Sequence, residues 1–128
     1  METIKSYTDI PQSKKLAEML PIESADMWWI ALNWQETEYY VEVKQDGINQ
    51  PKKAIPCWSL ASLLNILPKK YYPIKDHKTC LILSKPKDKW CAIYWDATGM
   101  QDGEQTLADN PVDACVEMIE KLHELSLL

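Results

Sequence analysis

The side chains that could do chemistry in this 128-residue chain are few and scattered. Cys57 follows Pro56 at what reads as a helix start, where free backbone amides would lower a thiol pKa and favour a nucleophilic thiolate. A thiolate enzyme also needs a base. The two histidines are His77, beside Asp76 in a lysine-rich loop, and His123, in the last helix. Neither stands near Cys57 in sequence, and no close set of Cys, His and carboxylates has zinc-ligand spacing. The four cysteines, Cys57, Cys80, Cys91 and Cys115, include no CxxC pair and all sit in apolar stretches. They read as reduced, buried small hydrophobes. The carboxylates four apart, Asp113 with Glu117 and Glu120 with Glu124, read as solvated helix surface. Gly47, Gly99 and Gly103 are isolated, so no phosphate-cradling loop or dinucleotide fingerprint is present. These residue types select no catalytic, cofactor or metal site; the reading leans away from an enzyme, with a Cys57-dependent one ranked third.

Aromatic residues are the surplus. Six tryptophans and six tyrosines occur with no phenylalanine, so every ring carries a polar handle suited to half-buried and interface positions. Trp28 and Trp29 are adjacent and would point to opposite sides of a strand. Together with Trp34, Tyr39 and Tyr40 they form the expected protein-interaction surface, against the plainer reading in which helices cover both faces. The partner class is an unknown protein, a second copy included.

Charge supplies the competing reading. Residues 51 to 90 carry nine lysines against Asp76 and Asp88, a balance of +7, while residues 1 to 50 balance at −5 and 91 to 128 at −7. Lys69, Lys70, Lys75 and Lys78 with Tyr71 and Tyr72, and Trp90 further on, could therefore make a sequence-tolerant nucleic-acid surface that stacks bases on rings. All fourteen basic residues are lysine, which removes the planar fork that reads guanine. Nucleic acid is accordingly the second choice, behind a protein partner.

The elements that must position these residues suggest an α+β fold of one domain over residues 1–128. A helix is expected near Pro11 to Leu20, stopped by Pro21, with Leu16, Ala17, Met19 and Leu20 inward. Residues 27–34 and the alternating segment that follows read as two antiparallel strands, closed by an Asp46-Gly47 turn, with a polar loop from Ile48 to Ile55. IPCWSLASLLNILP reads as a second helix of about three turns. TCLILS and WCAIYWDA read as a hairpin across KPKDK, central and covered on both faces, followed by turns around a short edge strand. The last helix is the clearest: Asn110 caps, Pro111 takes the first position, and Val112, Cys115, Met118, Ile119 and Leu122 make one apolar face. The expectation is three helices and a mainly antiparallel sheet of four or five strands, in the order αββαββ(β)α. No apolar run is long enough for a membrane span and the N-terminus lacks signal-peptide features, which implies a cytoplasmic protein.

Three segments, QSKKLAEMLPIESADMWW, PCWSLASLLNILP and DNPVDACVEMIEKLHE, resemble in order and spacing an uncharacterised family of small proteins carried by prophages and mobile elements of gut bacteria. The most specific pieces are Gln12-Ser13 followed by Ala25-Asp26-Met27, and Trp58-Ser59-Leu60 before Leu63, Leu64 and Pro68. The resemblance implies a bacterial, phage-related accessory protein and no catalytic residue. Read from the residues, Ser24 or Asp26 would satisfy backbone groups where the first helix gives way to a strand, and Trp58 would anchor packing.

Overall fold

Asp9 opens the first helix. Its carboxylate accepts a hydrogen bond from the Gln12 amide at 2.9 Å while the Gln12 side chain accepts one from the Asp9 amide at 3.1 Å, a reciprocal box that satisfies two otherwise orphaned donors. Helix α1 runs Ile10–Met19 and ends before Pro21. The computed structural model describes residues 4–45, 50–51, 53–68, 79–96 and 103–128. The chain divides into two compact units, Tyr7–Ser62 and Leu63–Leu128 with Met1–Ser6.

In the Tyr7–Ser62 unit, α1 is followed by a short 3-10 turn, Ile22–Ser24, and by strands β1 (Met27–Ala31), β2 (Tyr39–Val43) and β3 (Ala54–Cys57). They form one antiparallel sheet in the order β2-β1-β3. Trp28 lies opposite Glu42 on one side and Pro56 on the other. The bonds from Leu32 N–H to Glu38 C=O and from Lys44 N–H to Asp26 C=O set the alternation of the β1–β2 ladder: even-numbered residues of both strands exchange bonds with each other. Odd-numbered β1 residues therefore bond to β3. Pro56, opposite Trp28, keeps its missing N–H on the outer edge, where a strand tolerates proline.

That strand was expected to be loop and helix. The polar run before it hid β3, but Pro56 biases Ile55 toward extended backbone, and the helix begins only after Ser59. Helix α2 is Leu60–Ile66, two turns instead of three, and Cys57 ends a strand instead of starting a helix.

In the other unit, β4 (Thr79–Ser84), β5 (Trp90–Asp96) and β6 (Gln105–Ala108) form a second antiparallel sheet in the order β4-β5-β6. The β4–β5 hairpin turns across exposed Lys85 to Lys89, as expected. Helix α3 (Pro111–Glu124) is capped by Asn110, whose side-chain oxygen accepts from the Asp113 amide at 2.8 Å. Val112, Cys115, Met118, Ile119 and Leu122 are all fully buried, so the apolar face is the one the three-four spacing indicates. Tyr94 and Ala92 of β5 and Thr106 of β6 share the buried sheet face, and the Thr106 hydroxyl donates to the Ala114 carbonyl at 2.7 Å.

The fold is thus α+β with three helices, and the described strands make two three-stranded sheets instead of one of four or five. The expectation that the β4–β5 pair is covered on both faces also needs correction. Among the described residues β5 is central and β4 pairs with β5 alone, and on the face away from α3 Trp95, Leu107 and Cys80 are exposed while Cys91 is buried. The face toward α3 is buried and the opposite face only in part, at Cys91, so the apolar residues of both parities overstate the cover.

Candidate interaction surface

The β1–β2 hairpin is held at its tip by one side chain. Asn33 accepts hydrogen bonds from the Thr37 amide at 3.0 Å and the Glu38 amide at 3.3 Å, and its own amide group donates to the Thr37 hydroxyl at 2.6 Å. Such Asx-type bonding lets a short polar side chain substitute for backbone partners in a loop. Glu36 takes a positive φ of 59°, a conformation that costs a non-glycine residue free energy and persists only when its neighbours fix it. The Asn33 bonds brace the loop in this shape.

That shape presents Trp34 almost entirely to solvent, at 80% exposure, next to Leu32 at 62%. The Lys53 ammonium donates to the Trp34 carbonyl at 3.5 Å. Leu32 continues the face of the sheet that carries Ile30 and Tyr40, the latter directly opposite Ile30 and 42% exposed. Val43, on the other face, is 63% exposed. Leu32, Ile30 and Tyr40 share this sheet face with Glu38 and Glu42, and Trp34 follows in the loop beyond Leu32.

The other expected members of the surface lie elsewhere in the hairpin. Tyr39 is half-buried, as is Trp29, which donates its indole N–H to the Thr8 carbonyl at 3.0 Å and meets Tyr7 edge to face with centroids 5.6 Å apart. Trp28 is buried, with the Lys44 ammonium 4.2 Å above its ring, a cation–π contact. Burial pushes the Lys44 pKa down, against the pull of Glu23 and Asp26, and the ammonium also donates to the Ile22 carbonyl at 2.8 Å. Of the five residues singled out for contact, Trp34 and Tyr40 are the exposed ones. The sequence reading of Leu32 and Val43 as ordinary strand residues misses their exposure; for Leu32 the usable signal is the apolar pair Leu32 and Trp34 flanking Asn33, and for Val43 there is none.

The residues of the sequence motifs converge on a different place, the corner where β3 turns into α2. The Asp26 carboxylate accepts the Ser59 amide at 2.9 Å and the Ser59 hydroxyl in a short bond, while that hydroxyl also accepts the Ser62 amide. Burial works to raise the Asp26 pKa, but the bonds from Ser59 and Ser62 outweigh it and hold the carboxyl below its ordinary value. Ser24 accepts the indole N–H of Trp58 at 3.0 Å. Thr8 exchanges a hydrogen bond with Ser13 at 2.7 Å and accepts the Trp58 amide at 3.1 Å.

Cys57 sits in this corner, wholly buried, donating its thiol to the Thr8 carbonyl. Burial pushes its pKa up, and the hydrogen bonds from Thr8 and Ser13 offset this only in part. Nothing here generates a thiolate, in contrast to the helix-start environment expected for it. Cys91 and Cys115 are likewise buried, the latter pushed up to about 11 by desolvation, whereas Cys80 is exposed. His123 is exposed on α3. Among the described residues no group of three or more His, Cys, Asp or Glu could hold a metal ion, and no helix is long and apolar enough to cross a membrane. Lys69, Lys70, Tyr71, Tyr72, Lys75 and Lys78, with His77, lie outside the described residues, as does the Asp46-Gly47 turn. Trp90 is half-buried, with Lys85 5.9 Å from its ring.

Comparison of the chain with protein-family models, with curated proteins and with solved structures returns no match.

Proposed function

We propose that this chain is a non-catalytic protein-interaction factor whose contact element is the tip of the β1–β2 hairpin. The observation that carries the reading is Trp34, 80% exposed on a loop whose shape Asn33 enforces. A backbone already braced around the ring leaves less loop ordering to be done on binding, and tryptophan is enriched among the residues that dominate interface energetics. Leu32 and Tyr40 extend the anchor along one sheet face, and Glu38 and Glu42 supply a polar rim. Following the resemblance of its three segments, we place the protein among the cytoplasmic accessory factors of a prophage or mobile element in a bacterium.

The test is site-directed photocrosslinking in the native host with a photoreactive amino acid at position 34, compared with positions on the exposed face of α3. A discrete protein adduct from the tip, abolished by Leu32→Ser, supports the reading; no adduct at the tip overturns it. A parallel titration with single- and double-stranded DNA and RNA at about 50 mM and about 200 mM salt addresses the lysine-rich segment. Binding that is tight at the lower salt and weakened by charge reversal at Lys69, Lys70 and Lys75 would replace the protein contact with a nucleic-acid one.

A further inference from the structure

We propose that two copies of this chain associate by antiparallel pairing of β2 with β2, about a two-fold axis through Val41. The proposal concerns the strand's edge and does not rest on the role given to the hairpin tip. Among the described residues, β2 pairs with β1 alone. The alternation of the β1–β2 ladder turns the N–H and C=O groups of Tyr39, Val41 and Val43 outward, so the edge presents three residues' worth of unmatched ladder groups. Natural edge strands are commonly protected by lysine, proline or a bulge. Tyr39–Val43, reading Tyr-Tyr-Val-Glu-Val, has no lysine, proline or bulge, and its one charge, Glu42, together with the flanking Glu38 and Lys44 decides which register it can pair in.

The strand is complementary to its own reverse. With the axis at Val41, Tyr39 faces the second copy's Val43 and Val41 faces its equivalent, and these are the pairs whose backbone groups point outward. All three outward-facing residues then bond across the seam. On the other face, Tyr40 lies opposite Glu42, and Glu38 opposite Lys44. Directly opposed residues at non-bonded positions bring their side chains closest, so each end of the seam gains an opposite-charge pair and each middle position a phenol beside a carboxylate. Moving the axis to Tyr40 sets Glu38 against Glu42. Moving it to Glu42 sets that residue against itself. Either shift also loses a bonded pair, and like charges directly opposite are destabilising. Pairing at Val41 further covers Val43, whose 63% exposure is otherwise unexplained in a strand residue.

Sedimentation velocity of the full chain over a concentration series tests this. A monomer–dimer equilibrium is expected. Glu38→Lys places like charges at both ends of the seam and should raise the dimer dissociation constant about tenfold. Lys44→Glu alone should do the same, and Glu38→Lys combined with Lys44→Glu should restore the wild-type value, a rescue that loss of the Lys44 contact with Trp28 could not produce. Val41→Pro removes an outward N–H that β1 does not use, so it should abolish the dimer while circular dichroism and the unfolding midpoint report a retained fold. Amide exchange at Val41 should slow with rising protein concentration in the wild type. A chain that is monomeric throughout overturns the proposal, and so does a dimer indifferent to Val41→Pro or a double charge reversal that fails to rescue. A partner strand from a different protein would appear as slowed Val41 exchange only on adding that protein, and it too overturns self-pairing.

Discussion

The β3–α2 corner and the β1–β2 tip belong to the same compact unit and draw on the same residue types, yet they use them in opposite senses. At the corner the polar side chains point inward: Thr8 and Ser13 are fully buried beside Cys57 and Trp58. At the tip the apolar ones point outward. Burying a hydroxyl or a carboxylate is costly unless every polar atom finds a partner, and no buried side-chain nitrogen or oxygen among the described residues lacks one. The corner therefore reads as a place where polar groups specify one arrangement of α1, β1 and α2. The tip has no such internal use for Trp34. What distinguishes a fastening from a contact residue here is the direction of the side chain, which residue type alone does not reveal.

Truncating the two tryptophans puts the comparison under the greatest strain. Trp58→Ala removes a fully buried ring and its bond to Ser24 and should cost about 3 to 5 kcal/mol of folding stability. Denaturant unfolding measures it. A cost below that of Trp34→Ala would reverse the assignment of fastening and contact.

Thiol accessibility gives the next largest contrast. Cys57 is fully buried at the corner whereas Cys80 lies exposed on β4. Native-state labelling followed by mass spectrometry should modify Cys80 first, with Cys57 slower by about a hundredfold or more because its reaction waits on local opening. Rapid labelling of Cys57 would show that the corner opens readily and would restore the thiol chemistry its sequence position suggested.

How far the sequence announced these features depends on the range of the interactions involved. Helix α3 was legible throughout, because its cap, its proline and its buried face are set by residues within a few positions of one another. The β4–β5 hairpin and the β1–β2 pair were legible for the same reason. Strand β3 was not: its partner is β1, its composition is polar up to Ala54, and Pro56 normally argues against a strand. Only the pairing, which leaves the proline nitrogen on an outer edge, makes the segment intelligible. The same holds at the corner. Asp26 and Ser59 stand 33 residues apart, so Ser24-Ala25-Asp26-Met27 could be read as a junction but not as one half of a clasp with Trp58-Ser59. The chemistry of Trp34 and Tyr40 marks them as contact residues, and it marks Trp28 equally, although Trp28 is buried beneath the Lys44 ammonium.

The Asp26 clasp predicts a pH dependence whose sign follows from the depressed carboxyl. A group with a folded-state pKa below its unfolded value stabilises the fold fully above the unfolded value, near about 4 for a carboxyl, and loses that contribution as pH falls through the folded one. Asp26→Ala should cost about 1 to 3 kcal/mol at neutral pH, since the Ser59 amide and hydroxyl lose their acceptor. Urea unfolding at about pH 6 and about pH 3 should show a smaller difference between the wild type and the variant at the lower value. A constant difference between them would mean that Ser59 and Ser62 do not hold the charged form.

The smallest effects are expected at the tip, and their pattern matters more than their size. Asn33→Ala removes the single oxygen that accepts both the Thr37 and Glu38 amides, but both residues are exposed and water replaces the lost partner, so the cost should be about 0.5 to 1 kcal/mol. Trp34→Ala should change stability by less than about 0.5 kcal/mol, the usual value for a largely exposed surface site. In a contact test such as the crosslinking assay the ranking should differ: Trp34→Ala removes the anchor itself, and Asn33→Ala weakens binding by releasing the loop that presents it, even though the ring remains. If Asn33→Ala left the contact intact while Trp34→Ala destroyed it, the tryptophan would still be the anchor but the preset loop would be irrelevant. If Trp34→Ala instead destabilised the fold as much as a core truncation, the ring would be a structural residue, and the contrast between an inward-facing corner and an outward-facing tip would fail at its most exposed member.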